Sequence, residues 1–277
     1  METVELDRDP NLAVLFGKAA LGSLRRSGGE PVLPATGFAR TDVRVDREHL
    51  AAYDRVCGFR LSDELPIPYP HLLVFGMQVA LMTGDEFPFP MIGLVHVANR
   101  ITQTRPLRAD EPLVLRAHAT NLRPHERGTQ FDMVSQVLAD GAPVWRETST
   151  YLRRTTASSA DRTTVAPAEK PAAVWRIPDD AGRRYADVSG DHNPIHLHPL
   201  TARAFGFRRA IAHGMWSMAR CLAFFEGRLP AAYTVDVRFK LPILLPATVA
   251  LTVTDDHFDL RDRRTGKPHL AGLLTPA

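Results

Sequence analysis

The sequence predicts an α+β protein in which one folding unit occurs twice. The predicted elements of residues 41–153 are a strand, two helical segments and then four strands, and a similar order begins again near residue 174. Short residue patterns also recur at a nearly constant separation, as expected for a duplicated unit. Both observations predict two similar units in a single chain.

Three recurring patterns occur in the same order in both halves of the chain. They pair 53–58 with 185–190 at an offset of 132, Gly76-Met77 with Gly214-Met215 at 138, and 105–107 with 241–243 at 136. Because the offset changes by only a few residues, we expect corresponding helices and strands in the two halves.

The first unit is predicted to begin with a strand over 41–45, where polar and apolar side chains nearly alternate. Asp46 is a candidate N-cap for a helix that ends at Gly58. A buried helix is predicted over 72–82. Four strands then follow over 92–104, 113–121, 130–138 and 144–153, with Asp140-Gly141 as the hairpin turn before the last strand.

The second unit follows a stretch rich in Ala, Ser, Thr and Pro that is typical of a linker. Its predicted elements are a strand over 174–177, helices over 178–188, 201–205 and 214–225, and strands over 233–239 and 248–254, with a turn at Thr265-Gly266 between two final strands. We therefore divide the chain into an N-terminal extension (1–40), a first unit (41–153), a linker (154–173) and a second unit (174–277).

Composition describes an ordinary globular chain of 277 residues, 44% hydrophobic and 23% charged. Its net charge of +3 is too small to indicate a nucleic-acid partner. Two cysteines, Cys57 and Cys221, make neither a disulfide framework nor a zinc site, so reduced core thiols are expected. Since no stretch approaches the ~20 apolar residues of a membrane span and residues 1–10 lack the signal-peptide pattern, we expect a cytoplasmic protein without a membrane span.

Five potential acid, base or ligand side chains fall within the fourteen residues from Asp187 to Leu200. They are Asp187, Asp191, His192, His196 and His198. A zinc site is one interpretation, although Pro194 breaks the helical spacing between His192 and His196. A turn built on Asx hydrogen bonds is a second interpretation. The third is an acid–base pair, Asp191 and His196, brought to one water by a turn between Gly190 and Pro194.

The aligned stretch of the first unit lacks this cluster. Opposite Asp191, Asn193 and His196 it has Phe59, Leu61 and Glu64. Two copies of a structural turn would tend to keep similar residues, so the asymmetry favours a chemical site in the second unit alone.

The same residues resemble a known family. Tyr185, the run Ser189-Gly190-Asp191-His192-Asn193-Pro194-Ile195-His196 and Ala202 are similar to the hydratase signature of the MaoC-like, (R)-specific enoyl-CoA hydratases. The duplication resembles the two-copy 3-hydroxyacyl-thioester dehydratases of actinobacteria. This resemblance implies a double hotdog fold, with two curved antiparallel sheets each wrapped around a central helix and the site at the edge between them.

By this resemblance Asp191 and His196 would be the catalytic pair and Asn193 would position the pair or its water. Within the family segment 212–215, the Gly214 N–H would face the thioester oxygen. The resemblance also assigns substrate contacts to Ser189 and, through carrier phosphates, to Arg238 and Lys240, although a solvated strand face is an equal interpretation of these two cations. Two departures from the family pattern are His198, where an acidic residue is usual, and Pro246, where Gly is usual.

The implied reaction is reversible hydration of trans-2-enoyl thioesters, or dehydration of (R)-3-hydroxyacyl thioesters, in fatty acid metabolism. The substrate would be carried on coenzyme A or on the phosphopantetheine of an acyl carrier protein, with no further cofactor and no metal. The apolar run 72–82 of the first unit would house the acyl chain. The alternatives are a hotdog acyl-thioesterase and a non-catalytic acyl-thioester-binding subunit, and the chain would act as a monomer or a homodimer.

Overall fold

The computed structural model describes residues 2–22, 30–155 and 170–277, with the side chains of 20–22 left out. The N-terminal extension contains strand β1 (Glu2–Glu5) and helix α1 (Leu12–Gly22). Strand β1 is not predicted from the sequence, because its strand character comes from pairing with a later strand and not from its own residue pattern. Most of the predicted linker lies outside the described residues.

The first unit contains one strand, two helices and four further strands, in the predicted order. They are β2 (Thr36–Val43), α2 (Arg47–Cys57), α3 (Pro70–Met82), β3 (Leu94–Gln103), β4 (Leu113–His125), β5 (Gly128–Ala139) and β6 (Ala142–Arg154). The first predicted strand, 41–45, is displaced towards the N-terminus in β2. Backbone pairing with β1 and β4 extends β2 through residues whose polar and apolar types do not alternate in the sequence.

The predicted caps and turn of this unit are confirmed. The Asp46 carboxylate accepts hydrogen bonds from the N–H groups of Glu48 and His49, and Gly58 ends α2 in the left-handed conformation at φ 84°. Asp140 and Gly141, between β5 and β6, both have positive φ, at 51° and 76°. Two successive left-handed residues match the twist of an antiparallel hairpin.

The second unit repeats this order. Its elements are β7 (Ala173–Ile177), α4 (Ala181–Ser189), the short helices α5 (Pro194–Leu197) and α6 (Pro199–Ala204), α7 (Gly214–Phe224), β8 (Tyr233–Phe239), β9 (Ala247–Thr254), β10 (His257–Asp262) and β11 (Pro268–Pro276). The helix predicted over 178–188 begins three residues later than expected.

The strands form one continuous sheet with the order β1-β2-β4-β5-β6-β3-β8-β11-β10-β9-β7. The first unit contributes β2-β4-β5-β6-β3 and the second contributes the corresponding β7-β9-β10-β11-β8, in reverse. Among the described strands every pairing is antiparallel except that of β1 with β2. The two expected sheets are therefore present and are joined edge to edge, as in a double hotdog.

The junction between the units is the β3–β8 ladder. Arg100 pairs with Asp236, which lies 136 residues further along the chain, and their side chains form an ion pair at 3.2 Å. If a pseudo-twofold axis relates the two units, the residue of β3 that lies on the axis pairs with the equivalent residue of β8. Arg100 and Asp236 are 136 residues apart, which is one of the offsets found between equivalent residues of the two units, so a local axis through this pair is consistent with the sequence repeat.

The central helices are buried against the sheet. Helix α3 packs on β2, β4 and β5, and α7 buries Met215, Met218, Ala219 and Leu222, the predicted apolar face. Cys57 and Cys221 are buried and free, as expected. No helix in the described ranges is long and apolar enough to cross a membrane.

Candidate active site

The turn between α4 and α5 is a chain of local hydrogen bonds. Helix α4 ends at Gly190 with φ 70°. The Asn193 N–H then donates to the Asp191 carboxylate at 3.1 Å, and the Ile195 N–H donates to the Asn193 side-chain oxygen at 3.4 Å. Pro194 is the first residue of α5, where a missing N–H costs nothing. The predicted break at Gly190 and Pro194 is thus confirmed, and it includes the Asx bonds of the turn interpretation.

His196 is held in one orientation at the end of this turn. Its ring is 8% exposed, and Nδ1–H donates to the Ile211 carbonyl oxygen at 2.8 Å. Burial lowers the pKa of His196, although the Asp191 charge and the Ile211 hydrogen bond oppose the effect. The ring is therefore neutral near pH 7, and Nε2 keeps a lone pair that can accept a proton.

Asp191, His196 and His213 form a compact group in the described part of the chain. One ligand atom from each lies within 4.8 Å of the others. The turn thus brings Asp191 and His196 together, as the acid–base interpretation requires. A carboxylate and two imidazoles are also a chemically suitable set for a divalent cation.

His213 is a member of this group to which the sequence analysis assigned no role. Its ring stacks on that of His196 with 3.6 Å between centroids, and Nε2–H donates to the Asp191 carbonyl oxygen at 3.0 Å. Burial, and then the neighbouring His196, lower the pKa of His213 to about 3. The only sequence signal was its position immediately before Gly214.

Gly214 begins helix α7 beside this group. The first N–H groups of a helix have no partner within it and carry a partial positive charge, and the N-cap His213 makes no side-chain cap here. A Cβ at Gly214 would lie 3.1 Å from the Phe239 ring. Glycine therefore permits close packing of β8 against the helix start, where an oxyanion could be bound.

The other residues singled out in the sequence lie outside the compact group. Ser189 accepts the Asp191 N–H at 3.2 Å, and Asn193 caps α5. Asp187 and His192 line a surface cleft on α4. Arg238 and Lys240 are exposed on and just beyond β8.

The corresponding loop of the first unit carries no such pair. Phe59 stacks on Tyr53 at 6.3 Å between ring centroids, Leu61 is 58% exposed, and Glu64 forms a backbone bridge with Arg108. The predicted asymmetry between the two units is present in the structure.

The first unit nevertheless contributes side chains close to the site. The ring of His96, on β3, lies 5.0 Å from that of Phe239 and 4.8 Å from that of Tyr151. Burial raises the pKa of Tyr151, and the charges of Glu147 and Asp191 add to this effect. The site therefore lies at the boundary between the two units.

Comparison with known proteins shows the family to which the chain belongs. The family model of the MaoC like domain matches residues 155–269. The 3-hydroxyacyl-thioester dehydratase X of Mycobacterium tuberculosis is 39% identical over 266 residues, which cover 93% of this chain and 95% of that protein. The chain belongs to the MaoC-like dehydratase family.

The fold is also similar to those of solved structures. The structure of the M. tuberculosis protein, HtdX, has a TM-score of 0.79 at 38% identity and covers 87% of this MaoC-like chain and 100% of HtdX. Another M. tuberculosis protein with a double hotdog fold has a TM-score of 0.51 at 12% identity over 90% of this chain and 96% of its own. The (R)-specific enoyl-CoA hydratase of Rhodospirillum rubrum is 36% identical over 74 residues, 25% of this chain and 51% of that enzyme.

One departure of this chain from the MaoC-like family pattern, His198 in place of an acidic residue, has a structural explanation. His198 is the N-cap of α6, and its Nδ1 accepts the Leu200 N–H at 3.2 Å. An acidic side chain at this position would accept the same hydrogen bond. The imidazole therefore replaces the usual residue as a cap.

A substitution at Gly182 tests how tightly the turn is held. Gly182 is in α4, and an added Cβ would collide with the His196 carbonyl oxygen. We expect Gly182→Ala to displace His196, lowering enoyl-CoA hydration at least about tenfold and stability by about 1–3 kcal/mol. Gly17→Ala, in α1 with nothing near the added Cβ, is the matched control. Wild-type rates in both variants would contradict this packing.

The buried histidines predict acid sensitivity. Below about pH 6.5 His213 is protonated in the unfolded chain but stays neutral in the folded chain. The free energy of unfolding therefore falls as the pH drops from about 6.5 towards 3. At about pH 5 the His213 contribution is roughly 2 kcal/mol. Urea unfolding near pH 7.5 and pH 5 measures it. His213→Phe should lose less stability between these values, whereas the exposed control His257→Phe should match wild type.

Proposed function

We propose that this protein catalyses the reversible hydration of trans-2-enoyl thioesters and the dehydration of (R)-3-hydroxyacyl thioesters in fatty acid metabolism. The observation that carries the proposal is the Asp191 and His196 pair beside the start of α7. The names of the M. tuberculosis and R. rubrum relatives support it. The protein is then a hydro-lyase.

In the proposed mechanism Asp191 and His196 hold one water molecule. The neutral Nε2 of His196 accepts a proton from this water as its oxygen bonds to C3 of the enoyl thioester. Electron density moves from the double bond to the thioester oxygen, where the Gly214 N–H stabilises the charge. The proton then passes to C2, so that H and OH have been added across the bond, and dehydration follows the reverse path.

The supporting contacts belong to the same proposal. The Asn193 N–H donates to the Asp191 carboxylate, and the Ser189 hydroxyl oxygen accepts the Asp191 N–H, so both residues hold Asp191 in the turn. Exposed Arg238 and Lys240 suit the phosphates of coenzyme A or of an acyl carrier protein. No further cofactor is required. We propose a cytoplasmic monomer or homodimer with the unit boundaries given by the sequence.

The central test is Asp191→Asn assayed with crotonyl-CoA. Asparagine keeps an oxygen for the Asn193 N–H but loses the carboxylate charge, so we expect hydration to fall about 10²–10⁴-fold. Asp187→Asn, four residues earlier and outside the compact group, is the control and should keep the wild-type rate. A folded Asp191→Asn protein with wild-type activity would refute the assigned mechanism.

The same assay separates the reaction from its alternatives when the conjugated double bond and free thiol are followed independently. Loss of the double bond without thiol release is the expected result, because water attacks C3. Thiol release would show attack at the carbonyl carbon, as in a thioesterase. No change in either signal with crotonyl-CoA and a longer enoyl-CoA would indicate a binding subunit.

A chelator tests the metal interpretation of the compact group. If acid–base chemistry alone activates the water, prolonged EDTA treatment leaves the crotonyl-CoA hydration rate unchanged and added Zn²⁺ does not raise it. A loss of rate that Zn²⁺ restores would instead assign Asp191, His196 and His213 to a bound cation. Metal content measured on the same samples is the control.

A further inference from the structure

The first unit contains a buried polar cluster that the proposed reaction does not use. We call it the Glu147 cluster, and it comprises His71, Gln78, Asn99, Ser135, Glu147 and Ser149. Its side chains come from α3, β3, β5 and β6, and they lie in the core of the unit expected to house the acyl chain. An apolar chain alone would need no such group.

Glu147 is fully buried and accepts hydrogen bonds from three side chains. His71 Nδ1 lies 2.8 Å from one carboxylate oxygen, Asn99 Nδ2 donates at 2.7 Å, and Gln78 Nε2 donates at 3.0 Å. Burial alone would raise the pKa of Glu147, but His71 and the hydrogen bonds outweigh it and lower the pKa. The carboxylate is therefore charged, and it is compensated from three sides.

The carboxylate also determines how both amides are turned. Because Gln78 and Asn99 must present their NH₂ groups to Glu147, their carbonyl oxygens cannot make these contacts. Among the described residues, Gln78 Oε1 and Asn99 Oδ1 are buried without a hydrogen-bond partner, and these side chains are 0% and 1% exposed. Buried polar atoms in native proteins are rarely left so.

His96, beside the cluster, adds a third unpaired acceptor. Its ring lies 6.5 Å from that of His71, and its buried Nε2 likewise has no partner in the described ranges. Burial, and then His71, lower the pKa of His96 to about 4, so the ring is neutral. A hydrogen bond to the backbone of Ala98 occupies the ring's donor, and Nε2 is left as an acceptor.

The cluster adjoins the candidate active site. One aromatic ring, Phe239, separates His96 from Gly214, because it packs on both. The His96 side chain is only partly buried, although its Nε2 is inaccessible. An acyl chain that extends from a thioester at Gly214 past Phe239 would therefore meet His96 first.

We propose that the Glu147 cluster and His96 bind a hydroxyl group carried on the acyl chain beyond C3, so that the preferred substrates are hydroxylated acyl thioesters. The proposal rests on the proposed function for the direction from which the chain arrives. All three unpaired atoms are acceptors, so the ligand must bring a donor. A hydroxyl offers one donor hydrogen, which can pair with one of these acceptors, whereas a methylene chain and a carbonyl oxygen offer none.

Equilibrium binding tests this without turnover. The probes are saturated medium-chain acyl-CoA esters with a single hydroxyl at successive carbons beyond C3, each compared by calorimetry with the unsubstituted ester of equal length. At one position the hydroxylated ester should bind about tenfold or more tightly, since its hydroxyl donates to a buried acceptor that the plain chain leaves unpaired. Equal dissociation constants along the whole series would overturn the proposal, and water would then be the occupant.

Two variants locate the effect. His96→Phe removes one acceptor while keeping an aromatic ring between Tyr151 and Phe239. Gln78→Met removes another with little change of shape, together with the NH₂ group that donates to Glu147 and Ser135. His96→Phe should reduce the preference for the hydroxylated ester towards unity, and Gln78→Met should lower it. If Gln78→Met does not fold, as judged by its unfolding midpoint, His96→Phe decides the question.

A matched control uses the same substitution at another buried glutamine. Gln103, on the same strand β3 as His96, donates to the Ala231 carbonyl oxygen and lies outside the cluster. Gln103→Met should keep the full preference, and an undiminished preference in His96→Phe would overturn the assignment.

Hydration of crotonyl-CoA by the wild-type protein is measured separately. Its absence would refute the proposed function, whereas the binding series judges the cluster.

Discussion

The pairing of β3 with β8 is the interaction on which the rest of the structure depends. Each unit alone would expose this strand edge, and an unpaired edge attracts other strands. The ladder buries Ile101 and Val235 opposite each other, and Thr102 and Thr234 share a hydrogen bond at 2.8 Å. It also places β3 of the first unit beside the start of α7 in the second. The candidate active site and the Glu147 cluster are neighbours for this reason.

The two units carry different groups of polar side chains. The second unit holds Asp191 and His196 in a turn of local hydrogen bonds, closed by the contact of His196 with Ile211. The corresponding loop of the first unit lacks the Asp191 and His196 pair, and this unit carries Glu147 in its core. A buried charge needs several donors, and Glu147 takes them from helix α3 and strand β3. In the proposed function the first unit binds the acyl chain, and the Glu147 cluster would let it discriminate among chains.

Local patterns predicted most elements, and long-range contacts explain what they missed. Asp46, Gly58 and Gly190 act within a few residues, so the ends of α2 and α4 were visible in the sequence. Strand β1 was not visible, because only its pairing with β2 makes it a strand. His213 was missed in the same way, since seventeen residues separate it from the His196 ring on which it stacks.

The sequence by itself determined the duplication, the order of helices and strands, and the turn that carries Asp191 and His196. These features depend on backbone conformations and hydrogen bonds that span only a few residues. Only the tertiary structure decided that the two sheets join, that His213 lies beside Asp191 and His196, and that His71, Gln78 and Asn99 surround Glu147. The physical reason is that the hydrogen-bond donors to a buried charge can lie far apart along the chain. Contacts between residues so far apart leave no local sequence pattern.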